Sequence, residues 1–211
     1  VRRQSDHFDD YRVALARLEA AGLVYPCFCT RREILAEIAA AAGAPHVVTP
    51  GPNGPVYPGT CRTLDDATRT ARIAAGASWA LRLDLSRARQ QTGDLVWTDL
   101  DAGDVVARPE LFGDVVLARK ETPTSYHLAV TVDDAIQGVT LVTRGEDLRA
   151  ATHVHRLLQA LLGLPAPAYR FHRLVTDTSG RRLAKRDRAE TLRALREAGR
   201  SPAEVRALVG M

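Results

Sequence analysis

The sequence predicts an α/β fold on three observations. Apolar residues recur at three- and four-residue spacing in segments that open on Ser or Thr and stop at Gly. Short β-branched or alternating runs lie between them, and no internal repeat or low-complexity linker breaks the pattern. One region stands apart: residues 25–62 hold all three cysteines and a proline-rich loop, and read as a small inserted element.

The first helix is expected from a Ser5 cap to about Ala21, with Phe8, Tyr11, Leu15 and Leu18 on one face and Gly22 as its stop. Thr30 and Glu33 form a capping-box signature for a second helix, through Ile34, Leu35 and Ile38 to Gly43, which puts the cysteines of YPCFC in a turn between helices. Residues 44–61 carry five of the eleven prolines, so an irregular loop is expected there. Thr63 to Asp66 repeats the cap pattern for a helix ending near Ala75, and WALRLDL alternates Trp79, Leu81, Leu83 and Leu85 at the period of a half-buried strand.

DLVWTD and GDVVLAR read as further strands. YHLAVTVDD and GVTLVTRG are β-branched and nearly continuous, as buried strands are, and predict where the sheet core lies. A helix from about Arg149 to Leu162 ends at Gly163, and YRFHRLV resumes extended structure. TDTSGRRLAKRD is a basic loop, followed by a helix from about Ala189 and a short one capped by Ser201 and Glu204.

Length and composition bound the function. The 211 residues suffice for a sizeable core, and 45% hydrophobic with 26% charged residues is ordinary for a globular chain. No apolar run approaches the roughly 20 residues of a membrane helix, so no membrane partner is expected. The formal net charge of +4 favours phosphates weakly. Three cysteines, an odd number, with no secretory leader at the start, fit a reducing cytoplasm. The chain opens at Val1 and runs at once into a helical pattern, so further sequence is expected upstream.

Cys27, Cys29 and Cys61 offer three soft thiolates, two from one turn and one from a distant loop, as a structural zinc site does. A fourth ligand is needed; Tyr57 and His46 both lie in the same loop, and spacing leaves the choice open. The competing readings are buried unpaired cysteines or redox chemistry, although the usual redox motif has two intervening residues. Arg181, Arg182, Lys185, Arg186 and Arg188 can surround a polyphosphate or form a solvated loop. Arg144 follows a strand pattern and precedes Gly145, so it can emerge at a sheet edge toward a carboxylate or make a surface ion pair. Tyr126 is a ligand hydrogen-bonder or core filler; Asp133 and Asp134 are ligands or caps. His153 and His155, two apart on a helix, face different ways and form no metal pair. No glycine-rich phosphate loop, nucleophile elbow or HExxH pattern is present.

Taken in order, QSDHFDDYRVALARLEAAGLVYPCFCTRREI, VYPGTCR, GDVVLAR, SYHLAVTVDDAIQGVTLVTRGEDL and RRLAKRD resemble the glutamyl-queuosine tRNA(Asp) synthetases, short relatives of glutamyl-tRNA synthetase. The resemblance runs to about residue 198. It implies a class I synthetase fold: a Rossmann-like nucleotide-binding domain, incomplete here because the family's HIGH-type motif does not occur in these residues, with a zinc-bearing insert. It matches Cys27, Cys29, Tyr57 and Cys61 to zinc ligands, Tyr126 and Arg144 to glutamate-binding residues, and Lys185 to the ATP-contacting lysine of the KMSKS-type loop. That loop departs from the family pattern at Arg182 and Ala184.

The implied chemistry is activation of glutamate by ATP with Mg2+, then transfer to the queuosine base of tRNA(Asp), by a monomer. The alternatives are a glutamyl-tRNA synthetase proper or a non-catalytic, zinc-stabilised RNA-binding module. Too few residues follow Lys185 for an anticodon-binding domain, and none is expected.

Overall fold

A computed structural model describes residues 2–41, 50–52, 54–176 and 191–209. In chain order the elements are α1 (Phe8–Ala20), β1 (Val24–Cys27), α2 (Arg31–Ala41), β2 (Pro50–Gly51), β3 (Gly54–Pro55), α3 (Asp66–Ala74), β4 (Ala80–Leu83), α4 (Leu85–Thr92), β5 (Val96–Asp99), β6 (Gly103–Val106), β7 (Val116–Arg119), α5 (Tyr126–Ile136), β8 (Leu141–Gly145), α6 (Ala151–Leu162), β9 (Ala168–His172), α7 (Leu192–Glu197) and α8 (Pro202–Leu208). Among the described residues β2 and β3 form a two-stranded antiparallel pair, and two larger sheets organise the rest. One is antiparallel in the order β1-β4-β7; the other, in the order β6-β5-β9-β8, pairs β5 with β9 and β9 with β8 in parallel. The α/β expectation holds, and no described helix is long and apolar enough to cross a membrane.

The main core joins α1, α5 and α6 to the antiparallel sheet through Tyr11, Leu18, Leu83, Leu117, Leu128, Leu157 and Leu158, all essentially fully buried. A smaller cluster of Trp97, Ala107 and Tyr169 packs at the parallel sheet. At the α1–α5 contact Asp133 is buried and accepts both the Tyr11 hydroxyl, at 2.8 and 2.9 Å, and the side chains of Arg2 and Gln4 at 2.6 and 3.0 Å. Its carboxylate is neither a ligand nor a cap.

The largest departure from expectation is YHLAVTVDD, which is the helix α5 rather than a buried strand. Ser125 caps it by accepting from Leu128 N, and Leu128, Ala129, Thr131 and Val132 repeat with helical spacing toward the core. A continuous apolar run does not distinguish strand from buried helix, and its β-branched residues weighed the wrong way. Buried Thr131 is satisfied within the helix by donating to the His127 carbonyl at 2.8 Å.

WALRLDL divides for a similar reason: Asp84 ends β4 and caps α4, accepting from Arg87 N at 3.0 Å. Cys27 closes a strand, β1, instead of lying in a turn, and Cys29 follows it. Helix α1 begins at Phe8 after a short 3-10 turn, without a Ser5 cap, and α3 is capped by Asp65 rather than Thr63. The Thr30–Glu33 and Ser201–Glu204 capping boxes and the Gly163 stop of α6, with φ of 61°, form as expected. The Gly43 stop, the Ala189 helix start and the TDTSGRRLAKRD loop fall outside the described residues.

Tyr11→Phe deletes one hydrogen bond to Asp133 while Arg2 and Gln4 remain. It should lower unfolding stability by about 1 kcal/mol in urea titration with an unchanged m-value.

Candidate functional site

Two clusters of chemistry-bearing side chains form. The first is the cysteine cluster. Cys27, Cys29 and Cys61 bring their sulfurs within 4.8 Å of one another, and Cys29 Sγ lies 3.4 Å from Cys61 Sγ. The Tyr57 hydroxyl closes the group, 3.3 Å from Cys27 Sγ and 3.6 Å from Cys29 Sγ. Tetrahedral zinc with the usual bond lengths sets sulfur–sulfur edges of about 3.8 Å and oxygen–sulfur edges of about 3.5 Å. These three separations lie within about 0.4 Å of such edges, so the donor set is compatible with zinc. His46 lies outside the described residues.

The surroundings of these donors are also informative. Burial pushes the Cys29 thiol up to about 12 and the Tyr57 phenol well above its ordinary range. Cys61 is pushed up by burial too, but the Phe28 N–H at 3.4 Å and hydrogen bonds from Tyr57 and the other thiols outweigh it, and its thiol falls below the ordinary value. Arg82 stacks on the Tyr57 ring at 3.9 Å. Buried Asp114 ties the cluster to the body: it accepts the Tyr25 hydroxyl at 2.5 Å, Arg62 Nη1 at 3.1 Å and Leu85 N at 3.1 Å. Gly113, at φ +62°, is required beside it, because a Cβ there would collide with Val56.

The second cluster lies at the carboxyl ends of the parallel strands β8 and β9, where open α/β sheets bind ligands. Arg144 on β8 stands opposite Phe171 on β9 and is 8% exposed. Its Nη2 donates to Thr152 Oγ1 at 2.5 Å, and its Nη1 donates to His155 Nδ1 at 3.0 Å and approaches the Tyr126 hydroxyl at 3.5 Å. The guanidinium lies over Tyr169 at 5.1 Å and Phe171 at 5.8 Å, and its Nε is buried without a hydrogen-bond partner. Among the described residues no carboxylate comes within ion-pair distance of it.

Desolvating a guanidinium costs several kcal/mol, and each hydrogen bond to a charged group returns about 1.5–3 kcal/mol, with cation–π contacts adding about 0.5–2 kcal/mol. These contacts hold the side chain in place but supply no counter-charge. Arg149 gives the contrast: it too faces Phe171, at 4.9 Å, but forms an ion pair with buried Asp99. The half-buried Asp134 carboxylate lies within electrostatic range of Arg144 but forms no ion pair with it. Arg144 is thus a fixed cation with no direct counter-ion among the described residues, suited to a carboxylate or phosphate.

Tyr126, the first residue of α5, and its neighbour His127 line a cavity of about 650 Å³ together with Phe112, Arg119 and Thr124. The rings of Tyr126, His127 and His155 form one edge-packed group with centroids 5.2–5.7 Å apart. The expected pair Tyr126 and Arg144 does come together. Lys185 lies outside the described residues. His153 points away, its Nδ1 accepting from Trp97 at 3.1 Å, in agreement with the expectation that it does not pair with His155. Sequence reasoning missed His127, His155 and Thr152 as partners of this group, and Asp114 as the anchor of the other. His127 and Thr152 sit at helix starts, a position too common for polar residues to single them out, and His155 and Asp114 carry no local signal.

A sequence model of the catalytic domain of tRNA synthetases class I (E and Q) matches residues 1–210. The glutamyl-Q tRNA(Asp) synthetase of Rhodobacter capsulatus is 50% identical over 216 residues, covering 100% of this chain and 75% of that protein. The chain belongs to the glutamyl-Q tRNA(Asp) synthetase family, within the class I (E and Q) synthetases, and so to a family of ligases. The enzyme of the same name from Nocardia farcinica is 46% identical, over 98% of this chain and 61% of that protein. The chain thus spans about three quarters of the first relative and about three fifths of the second. In architecture this family member is similar to a glutamate tRNA ligase from Elizabethkingia meningosepticum crystallised with its amino acid, with a TM-score of 0.67 at 22% identity over 88% of this chain and 36% of that one. At that identity the likeness speaks to fold alone.

Burial, with a smaller contribution from Arg144, holds the His127 imidazole down to about 4, and burial pushes His155 well below the ordinary histidine range. Both are neutral when folded and take up a proton near 6.5 when unfolded. Their contribution to stability is therefore complete above that value and is lost as the pH falls through it toward 4. Between about pH 7.5 and pH 5 His127 alone should account for about 2 kcal/mol of lost stability. His127→Gln should flatten the stability–pH curve over that interval in parallel urea titrations; an unchanged curve counts against a neutral His127.

Proposed function

We propose that this chain activates glutamate with ATP and transfers the glutamyl group to the queuosine base of tRNA(Asp). The observation that carries the reading is the buried Arg144 guanidinium, with no direct counter-ion among the described residues, beside the Tyr126 hydroxyl, at the carboxyl end of a parallel sheet, in a member of this family. A carboxylate held by a buried guanidinium is a weakened nucleophile. Arg144 therefore holds the side-chain carboxylate of glutamate, and the α-carboxylate is left to attack the α-phosphorus of ATP. Pyrophosphate leaves, and a hydroxyl of the queuosine base then attacks the activated carbonyl and releases AMP.

In this proposal Tyr126 borders the amino-acid site, and Lys185 contacts ATP as negative charge moves onto pyrophosphate, with Mg2+ accompanying the nucleotide. Catalysis is positioning and charge stabilisation rather than covalent attack by a side chain. Cys27, Cys29, Tyr57 and Cys61 hold zinc; with four protein ligands the ion has no open position, and its role is structural. Residues 25–62 are then a zinc-bearing insert, and a cytoplasmic monomer acting on glutamate, ATP and tRNA(Asp) follows from the same reading.

Glutamate-dependent ATP–pyrophosphate exchange should proceed without tRNA, and Arg144→Gln should raise the KM for glutamate by about 100-fold while leaving that for ATP near its original value. Exchange that strictly requires tRNA would instead favour an ordinary glutamyl-tRNA synthetase. Purified protein should contain one zinc per chain, and Cys61→Ser should lose most of it by elemental analysis; full retention would sink the four-ligand site.

A further inference from the structure

Arg144 carries only donors, so the hydrogen bond at 3.0 Å to His155 fixes the roles along a chain of groups. His155 Nδ1 must accept, which places its single proton on Nε2. His155 Nε2 faces His127 Nδ1 at 3.1 Å and donates to it, so His127 also carries its proton on Nε2. The sequence of donors and acceptors runs without a charge from the ring at the cavity wall to the guanidinium. The other acceptors of Arg144, Thr152 Oγ1 and the Tyr126 hydroxyl at 3.5 Å, are neutral as well, and the remaining contacts are aromatic faces.

We propose that His155 and His127 are positioning residues: an uncharged hydrogen-bond relay that fixes the Arg144 guanidinium while leaving its charge available to a carboxylate ligand. The inference deepens the reading of Arg144 as the carboxylate-binding group and rests on it. Guanidinium groups inside proteins are commonly held by a carboxylate, as Arg149 is held by Asp99 in this fold. A carboxylate at position 155 would fix Arg144 equally well and cancel the charge the substrate needs. An imidazole in the Nε2–H form supplies the acceptor and no charge. Its second hydrogen bond, to His127, locks the tautomer and the ring orientation. Simple space filling would be indifferent to which nitrogen faces Arg144, whereas the relay requires Nδ1 there, the nitrogen that lies 3.0 Å from Nη1.

Three substitutions at one position separate these roles. In His155→Asn the side-chain oxygen can take the place of Nδ1; His155→Leu removes the acceptor; His155→Asp keeps an acceptor but adds a negative charge. In exchange assays on the full protein, the Asn variant should keep the glutamate KM within about threefold of the parent, and the Leu and Asp variants should raise it about tenfold or more, with the ATP KM within about twofold throughout.

An Asp variant as good as the Asn variant, an unaffected Leu variant, or glutamate and ATP constants rising together would each overturn the relay. Nitrogen-15 histidine spectra of the unsubstituted chain provide a second test that needs neither catalysis nor a folded variant. Both rings should appear as neutral Nε2–H tautomers at neutral pH, and a Nδ1–H or doubly protonated His155 overturns the proposal. If Arg144→Gln leaves the glutamate KM unchanged, the carboxylate reading itself fails. If Arg144→Gln is impaired while the His155 series behaves otherwise than stated, only the relay fails.

Discussion

A guanidinium buried with no counter-ion among the described residues constrains much of this structure. Arg144 is withdrawn from water at the end of β8, and every described group that touches it is neutral. That arrangement requires three elements to converge. Strand β9 brings Tyr169 and Phe171 alongside β8 in parallel register; α6 presents Thr152 and His155 from one face; α5 starts close enough for Tyr126 and His127 to reach in from consecutive positions. The helical form of YHLAVTVDD is essential to the last of these. In a strand, Tyr126 and His127 would point to opposite faces and could not join one ring cluster. At a helix start they share it, and the partial positive charge of the α5 N-terminus adds to a field that already favours an anion.

The cysteine cluster poses the opposite electrostatic problem. Burial makes the Cys29 thiol and the Tyr57 phenol resist ionisation, whereas the hydrogen bonds to Cys61 hold its thiol below the ordinary value. Under the zinc proposal the ion and its four deprotonated ligands would carry two negative charges in excess. The Arg82 guanidinium stacked on Tyr57 and the Phe28 N–H directed at Cys61 lie where such charge would accumulate. Arg82 also donates to the Asp114 carbonyl at 2.7 Å, and the Asp114 carboxylate takes Tyr25, Arg62 and Leu85 N. The cluster and the start of α4 thus share one anchor, so the position of the cysteines is coupled to the antiparallel sheet through β1 and β4.

What the sequence disclosed follows from how local each signal is. Capping boxes at Thr30 and Ser201 and the Gly163 stop are set by residues within a turn or two, and they form as read. GVTLVTRG is extended as expected, but β8 is an edge strand with Leu141 41% exposed, not the buried sheet core its apolar run suggested. The C-x-C spacing with Cys61 named the donors, and the resemblance to known synthetases selected Tyr57, whose hydroxyl does meet the sulfurs. Local signals misled where two structures satisfy the same pattern. Val, Thr and Val in α5 suggested a strand because their burial comes from contacts with α1 and α6 that periodicity does not contain. Asp84 looked like the polar phase of an alternating strand and is a cap. The partnership of His127 with His155 joins residues 28 positions apart, and Tyr25 with Asp114 joins residues 89 apart. No spacing rule links such pairs; only the packing of helices on sheets brings them together.

The two arginines that face Phe171 show how one sheet edge separates structural from functional charge. Arg149 is matched by Asp99, whose carboxylate also takes the N–H groups of Asp101 and Ala102 at 2.9 and 3.3 Å; that pair closes the turn after β5 and has no charge to spare. Arg144 shares the same aromatic face, but its acceptors are two hydroxyls and an imidazole, and its Nε has none among the described residues. If desolvation alone had shaped the site, a carboxylate beside Arg144 would have been the simpler solution, since removing a partner from a buried charge costs about 3–5 kcal/mol. The neutral surroundings instead leave the guanidinium with a favourable interaction still to be made. Under the proposed function, the ligand carboxylate held beside Tyr126 supplies the counter-charge.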